Sequence, residues 1–538
     1  MKKIILISIL CFAFLLRVIN IQTNPPSLYG DELTIVYDAY SLLKGGQDQT
    51  GAPFPLTFSM GAGRPAGYVY GSIPFVSIFG PNELGVRMLS VLSGVGIVLL
   101  LYLLSRKFFS EKVGIWVALL ASVTPWDIAL SRGGFESHFA LLLALLGIYF
   151  FLLGKQKTVF YIFSALSFGL TIHTYPTYKL TLPLFIPLLF WYQGAFKNIR
   201  VFKDKIYIAA SALVISIFGL LALSQISFGS SELRFSEINI FAQEKPAQQI
   251  EQKLNLERTI TGLPLTVARY FHNRPLEYAK VFIENYLQNF SLDFLVIHGD
   301  GHPRHNMATM GGIYLGQFIL FLIGLVSFWT KYKKILTVLL FWLVLAPIPT
   351  AIVDVPHALR SSFMLPPIIM ISALGAITLI NKKSKIFLTG IGILFLIQFI
   401  FFAQKLYFLA PNEYSKFWSH PAKVASKIAL DNKDNFKYVI LSDRIDNIEF
   451  AYPVYALVEP SQVISQYERR EKLGKYDLKK FDNVYIGYIP DTEIEKFINN
   501  LEGSVLFISS SEVSKFLSTY ETVDGLDKTA ILSLRRKN

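Results

Sequence analysis

Charge is scarce in this chain. Asp, Glu, Lys and Arg make up 17% of its 538 residues, while 52% are hydrophobic. A soluble globular protein needs no such surplus of apolar side chains to fill a core, so that class is excluded. Cysteine is almost absent: Cys11 stands alone, which excludes an intramolecular disulfide and a cysteine-built metal site. There is no glycine-rich nucleotide fingerprint, no internal repeat, no heptad or collagen period and no low-complexity tract, which excludes a nucleotide-binding α/β core and a solenoid.

What the chain has instead is a series of apolar runs from Ile4 to Ala403, each near the roughly 20 residues that cross a hydrocarbon core. About eleven spans are expected, near residues 4–22, 86–104, 113–130, 138–154, 159–175, 179–194, 206–224, 311–330, 335–352, 361–380 and 386–404. The first run, after Met1-Lys2-Lys3, also has the look of a signal peptide. No small-residue cleavage site follows and Arg17 interrupts it, so it reads as a retained span.

The formal charge of +13 invites a nucleic-acid reading, but the basic residues sit in short loops. Lys2 and Lys3, Arg106, Lys107 and Lys112, Lys155 and Lys157, Lys197, Arg200, Lys203 and Lys205, Lys331, Lys333 and Lys334, and Lys382, Lys383 and Lys385 fall in every second gap, as cytoplasmic loops do. The expected topology is a multi-pass plasma-membrane protein with its N-terminus cytoplasmic, membrane lipids around it and no nucleic-acid partner.

Three regions break the apolar pattern: about 23–85, about 225–310 and everything after about 404. The expected organisation is a membrane domain over 1–404 with two external loops, and an extracytoplasmic accessory domain over 405–538. In the second loop Leu254, Ile260, Val267, Ala268 and Phe271 recur at helical spacing, which suggests helices resting on the membrane surface. In the last region, strand-like runs at 437–443, 483–489, 504–510 and 529–535 alternate with helical patterns, predicting a small α/β domain with a partly parallel sheet.

Beyond the first span stands YGDELTIVYDAYSLLKGG, with adjacent carboxylates at Asp31 and Glu32. Val36, Tyr37, Tyr40 and Leu43 follow at helical spacing and Gly45-Gly46 offers a stop, so the segment reads as a short helix. The structural reading makes Asp31 an N-cap and Glu32 a first-turn acid. Yet the same face gathers polar clusters beside other spans: Gly63-Arg64-Pro65, Ser131 to His138, His173 to Lys179, His298 to Asn306, and Pro356 to Arg360. Ionisable groups at spans are costly and so become functional candidates, although some serve as caps or snorkelling anchors.

One chemistry that needs this arrangement is attack of an acceptor on a sugar carried by a lipid phosphate. The leaving phosphate needs positive charge and hydrogen-bond donors rather than a strong acid. The acceptor needs one positioned carboxylate as general base.

Gly30-Asp31-Glu32 after the first span, Gly85-Val-Arg-Met-Leu-Ser-Val-Leu-Ser-Gly94 opening the second, and Ser-Arg-Gly-Gly-Phe-Glu-Ser-His ending at His138 resemble the GT-C superfamily of integral-membrane glycosyltransferases. The resemblance covers roughly residues 1–400 and is nearest the protein O-mannosyltransferase and aminoarabinose transferase branch. It implies a polytopic α-helical GT-C fold and an inverting transfer of one sugar from a polyprenyl-phosphate carrier to a protein or lipid acceptor on the non-cytoplasmic face. It also implies Asp31 as general base with Glu32 its catalytic neighbour, and Glu136 at the second acidic position. His357 and Arg360 fall where such enzymes bind the donor phosphate, with Arg304 and Arg132 as further phosphate-binding candidates. His138, His302 and Asp300 join Glu136 as substrate or metal candidates. Some members use a divalent ion such as magnesium, manganese or zinc; here the flanking pattern contains no Asp-x-Asp pair. The rival readings are a transporter or flippase of lipid-linked sugars, which would place its charges near the membrane midplane at a repeat interface, and a polysaccharide polymerase or ligase.

Overall fold

The computed structural model describes residues 2–59, 63–194, 205–228, 244–327, 331–353, 355–382 and 384–538. Lys197, Arg200, Lys203 and Lys383 of the basic loops lie outside the described residues. Each of the eleven expected spans falls on a helix or a broken pair. The first ten helices are α1 (Lys2–Val18), α2 (Gly30–Gly45), α3 (Gly67–Phe79), α4 (Glu83–Phe108), α5 (Glu111–Val123), α6 (Pro125–Leu130), α7 (Glu136–Gly154), α8 (Phe160–Ile172), α9 (Tyr178–Gln193) and α10 (Lys205–Phe228). The later spans are Leu315–Ser327, Lys333–Leu345 continued by Ile348–Val353, Leu365–Asn381 and Lys385–Gln404. Among the described residues six helical stretches are long and apolar enough to cross a membrane by themselves.

Two expected spans are broken, and prolines explain both. Pro125 starts α6 directly after α5, and Pro347 separates Lys333–Leu345 from Ile348–Val353. A proline has no N–H to give to the preceding turn and restricts the residue before it. Helices α4 and α5 start at side-chain caps: Asn82 Oδ1 accepts from the Leu84 and Gly85 amides at 2.9 and 3.2 Å, and Ser110 Oγ from Val113 at 3.3 Å.

Helix Leu365–Asn381 lies at the centre of the bundle, almost entirely buried. It crosses Leu315–Ser327 so closely that a Cβ on Gly375 would lie 1.9 Å from the Leu320 carbonyl oxygen, and one on Gly324 2.0 Å from that of Ile371. Small residues at such a crossing let two backbones approach where lipid offers no hydrophobic drive.

After residue 404 a seven-stranded mixed sheet runs in the order β4-β5-β6-β3-β7-β9-β8. The strands are β3 (Tyr438–Ser442), β4 (Glu471–Leu473), β5 (Tyr476–Phe481), β6 (Val484–Gly487), β7 (Val505–Ser510), β8 (Glu521–Asp524) and β9 (Ala530–Lys537). β3 is parallel to β6 and β7, with Val439 opposite Val484 and Leu506; the remaining pairs are antiparallel. The four expected strands are β3, β6, β7 and β9. The other three carry charged edge sequences that hide their period.

The first loop and the C-terminal region share one hydrophobic core. Leu33, Val36 and Ala39 of α2 and Tyr68 and Val69 of α3 pack with Ala422, Val439, Leu441 and Ile448. Hydrogen bonds join the same parts: Tyr37 Oη donates to Val458 O at 2.8 Å, and Lys423 Nζ pairs with Glu83 at 2.6 Å. α2 therefore lies between bundle and sheet, held on both sides.

The close crossing predicts that Gly375→Val, which overpacks two backbones, costs about 1–3 kcal/mol. Thermal unfolding of the detergent-solubilised protein checks this, and an unchanged midpoint would mean that the two helices can part freely.

Candidate functional site

The N-cap of α2 is Tyr29, which makes no side-chain cap bond, so Asp31 is the second helical residue and not the cap. Its side chain turns to Arg64, which stands on the short strand β2 (Arg64–Pro65) paired with β1 (Thr57–Phe58). Arg64 Nη2 donates to Asp31 Oδ1 at 2.6 Å, Nη1 to Thr34 Oγ1 at 2.6 Å, and Nε pairs with Glu136 Oε1 at 2.9 Å. One guanidinium thus holds two carboxylates. Burial works against its charge, but Asp31 and Glu136 outweigh burial and raise its pKa above the ordinary arginine value. The Arg64 side chain is 4% exposed, whereas that of Asp31 is 52% exposed, so one face of the Asp31 carboxylate is open to an incoming molecule.

Glu32, one residue on, has the opposite surroundings. It is fully buried and forms a two-point pair with Arg87 of α4, Nε to Oε1 at 2.8 Å and Nη2 to Oε2 at 2.9 Å. The Gly134 amide adds a third bond to Oε1 at 2.7 Å. Arg87 also donates to the carbonyls of Ile21, Pro25 and Ser27 and lies over the Trp418 ring at 5.4 Å. No part of this pair faces solvent.

A second charged cluster gathers at the same end of the bundle. Asp300 Oδ2 lies 3.3 Å from His305 Nδ1 and 3.8 Å from His357 Nδ1, and accepts the Ala358 amide at 2.7 Å. Asp300 Oδ1 accepts the His302 amide at 2.8 Å, and the His302 ring stacks on that of His305 at 4.8 Å. Burial, followed by the charges of His305 and Arg304, lowers the His302 pKa to about 4. Burial, followed by His305 and Arg360, lowers that of His357 as well. Burial would raise the Asp300 pKa, but His305, His357 and the Ala358 amide prevail and lower it. The result is an ionised Asp300 carboxylate in a cluster where the His302 and His357 imidazoles are held neutral. Asp300, His305 and His357 each offer a ligand atom within 4.8 Å of the others, and that donor set fits a divalent ion. Arg360, three residues past His357 and half-buried, makes no hydrogen bond or ion pair among the described residues.

The two clusters meet at a wall of rings. Tyr29 lies 5.9 Å from Phe135 and 5.3 Å from Trp418, and Phe135 lies 5.8 Å from the His305 ring. The Arg304 guanidinium sits 4.4 Å over the Tyr29 ring and donates to Phe417 O at 3.1 Å. Arg304 therefore belongs to both sides.

Other expected site residues stand elsewhere. His138, two residues from Glu136, is fully buried, with Nε2 on Asp127 Oδ1 at 2.9 Å, and Asp127 in turn pairs with buried Arg17. Arg132 is sealed inside, donating to the carbonyls of Arg17 and Asn24 at 3.1 and 2.7 Å, 4.9 Å from the Tyr407 ring. Neither reaches the Asp31 or Asp300 cluster. His173 bonds the Phe218 carbonyl at 3.1 Å, a helix-end contact. Sequence reasoning named Arg64 only within the Gly63-Arg64-Pro65 cluster and gave no role to Arg87 or to the buried pair Arg17 and Asp127, which lies outside the site. For the last three the signal was present, since a charge inside an apolar run demands a buried partner.

These surroundings predict opposite stability effects for two adjacent acids. Glu32→Gln leaves Arg87 buried without a countercharge and is expected to cost about 3–5 kcal/mol. Asp31→Asn removes only a half-exposed pair, worth at most about 1 kcal/mol. Thermal unfolding of both variants checks the ranking, and a larger loss for Asp31→Asn would reverse the assignment.

Residues 68–221 match the family model described as dolichyl-phosphate-mannose-protein mannosyltransferase, a stretch that contains Arg87, Arg132, Glu136 and His138 but neither Asp31 nor the Asp300 cluster. A search of curated proteins finds no match. Among solved structures, ArnT from Cupriavidus metallidurans bound to undecaprenyl phosphate aligns over 98% of this chain and 97% of its own, with a TM-score of 0.51 and 10% identity. The archaeal oligosaccharyltransferase AglB from Archaeoglobus fulgidus, in complex with an inhibitory peptide and a dolichol-phosphate, aligns over 95% of this chain and 70% of its own, with a TM-score of 0.50 and 13% identity. The chain shares the fold of ArnT, a GT-C fold, and its residues 68–221 carry the match to the mannosyltransferase family model.

Proposed function

We propose that this protein transfers a sugar from a polyprenyl-phosphate carrier to a protein or lipid acceptor, with inversion, on the non-cytoplasmic face of the plasma membrane. The observation that carries the reading is the half-exposed Asp31 carboxylate, fixed by a buried arginine and separated by one layer of rings from a cluster whose Arg360 makes no ion pair among the described residues. The ligands of the two solved relatives, undecaprenyl phosphate in one and a dolichol-phosphate with a peptide in the other, support a lipid-linked donor and a separate acceptor.

In this reading Asp31 accepts the proton of the attacking acceptor group, and Arg64 keeps the carboxylate aimed while Glu136 shares its charge. Arg360, Arg304 and His357 stabilise the charge that builds on the departing phosphate. A divalent ion held by Asp300, His305 and His357 would add positive charge there. Glu32 and Arg132, both sealed, position the loops that carry these groups rather than touch substrate. The direction of the helices supports the orientation. α4 and α7 start at the site, at Glu83 and Glu136, and end at the basic loops with Arg106, Lys107 and Lys155, which the positive-inside rule places in the cytoplasm. The region after residue 404 then lies outside and closes the site with Trp418.

The test is release of polyprenyl phosphate by the purified protein in lipid, offered a panel of polyprenyl-phosphate sugars and acceptors. Asp31→Asn should lower turnover about 100-fold to 10,000-fold, the range of a lost general base. Arg360→Ala should raise the donor KM as well. Turnover of Asp31→Asn within a few-fold of wild type would remove the base assignment. Full activity in excess EDTA would remove the metal ion and leave the rest standing.

A further inference from the structure

The segment between α10 and the Asp300 cluster forms a hairpin of helices, Glu244–Ile260, Leu265–Phe271 and Arg274–Gln288, that the chemistry above does not use. Its polarity is reversed relative to a solvated helical hairpin. The polar side chains join the helices to one another: Arg274 Nε pairs with Glu251 at 2.7 Å, His272 Nδ1 with Glu257 at 2.8 Å, Lys253 with Glu277, and Arg258 Nε donates to His272 O at 2.8 Å. Leu254 and Ala268 are buried between them. Ile250 is buried as well, while many of the other large apolar side chains are exposed. At the tip, Ile260, Leu263, Leu265, Val267, Tyr270 and Phe271 are all exposed, Tyr270 at 79% and Phe271 at 66%. Residues 260–271 contain no acid, and their one charge is Arg269, flanked by Arg258 and Arg274.

A contiguous exposed apolar surface of this kind needs a cover. The base of the hairpin indicates which. Tyr286 Oη donates to Val344 O at 2.8 Å and Asn285 Nδ2 to Ala351 O at 3.4 Å, both on the Lys333–Val353 membrane span. Phe341 and Val344 of that span are exposed on its outer surface, where lipid lies. Ile283 and Leu287 on the hairpin carry the apolar surface on from there to the tip.

We propose that residues 260–271 form a wedge inserted in the bilayer leaflet at the site's end of the bundle. The apolar and aromatic side chains lie at the boundary of headgroups and acyl chains, about 5–10 Å deep, and Arg258, Arg269 and Arg274 lie at the level of the headgroup phosphates. The wedge fixes the height of the Asp300 cluster, which follows the hairpin in the chain, against the membrane surface. This surface is independent of the sugar-transfer reading, since nothing in it depends on what Asp31 does.

The test places an environment-sensitive NBD fluorophore on a cysteine at Val267, Leu265 or Tyr270, in the full-length protein with Cys11→Ser, reconstituted at one copy per nanodisc. Asn500→Cys, exposed in the C-terminal region, is the aqueous control. The expected result at the tip is blue-shifted emission, loss of quenching by iodide and strong quenching by doxyl labels on the lipid acyl chains. Iodide quenching equal to that of the Asn500 site would place the tip in water and overturn the proposal. Protection from iodide without doxyl quenching would place it against protein and overturn it equally. Two or more tip positions guard against one labelled variant failing to fold.

Discussion

Arg87 is the residue on which the rest of the site depends. It sits within an apolar helix, where an unpaired guanidinium is strongly disfavoured, and its planar donors are met by Glu32 and three backbone carbonyls. Those carbonyls belong to Ile21, Pro25 and Ser27, the whole turn between α1 and α2. One cation therefore ties the first two spans to the start of α2, and through the Gly134 amide on Glu32 to the loop before α7. Asp31, Arg64 and Glu136 inherit their geometry from that clamp.

The clamp also explains why two adjacent acids differ so completely. Consecutive residues on a helix point about 100° apart, so Glu32 faces the bundle while Asp31 faces the open side. The same rotation over two residues separates Glu136, which meets Arg64, from His138, which turns inward to Asp127. The bundle thus invests its buried charge pairs, Arg87 with Glu32 and Arg17 with Asp127, in holding loops still. Asp31 is half-exposed and Arg360 makes no ion pair among the described residues, which in the proposed reading leaves both for an incoming molecule. The ring wall of Tyr29, Phe135 and Trp418 stands between the two charged clusters.

Much of this was legible in the chain. Lipid demands long apolar runs, so the positions of the apolar helices could be read directly, with the proline breaks at Pro125 and Pro347 smoothed over. Asp31 stood out because an ionisable group beside a span is costly and because Gly30-Asp31-Glu32 resembles a GT-C motif. What it would pair with was not, since Arg64 lies on a two-residue strand with no periodicity to mark it. The roles of Glu32, Arg132 and His138 depend on which side of a helix or loop faces the bundle, and for Glu32 and Arg132 that is decided by partners 55 and more than a hundred residues away. In the C-terminal region the apolar strands β3, β6, β7 and β9 were visible. β4, β5 and β8 were not, because Lys- and Glu-rich edges read as loops, and the core these strands share with α2 leaves no local trace.

The central claim is that two clusters divide the work, acceptor at Asp31 and donor phosphate at Arg360. The most direct test is an electron cryomicroscopy structure of the full-length protein in lipid with polyprenyl phosphate bound. The account predicts a phosphate within hydrogen-bond reach of Arg360 and on the Asp300 side of the Tyr29–Phe135 wall, with Asp31 free of it. A phosphate bound beside Arg64 and Glu136, with Arg360 still unoccupied, would contradict it.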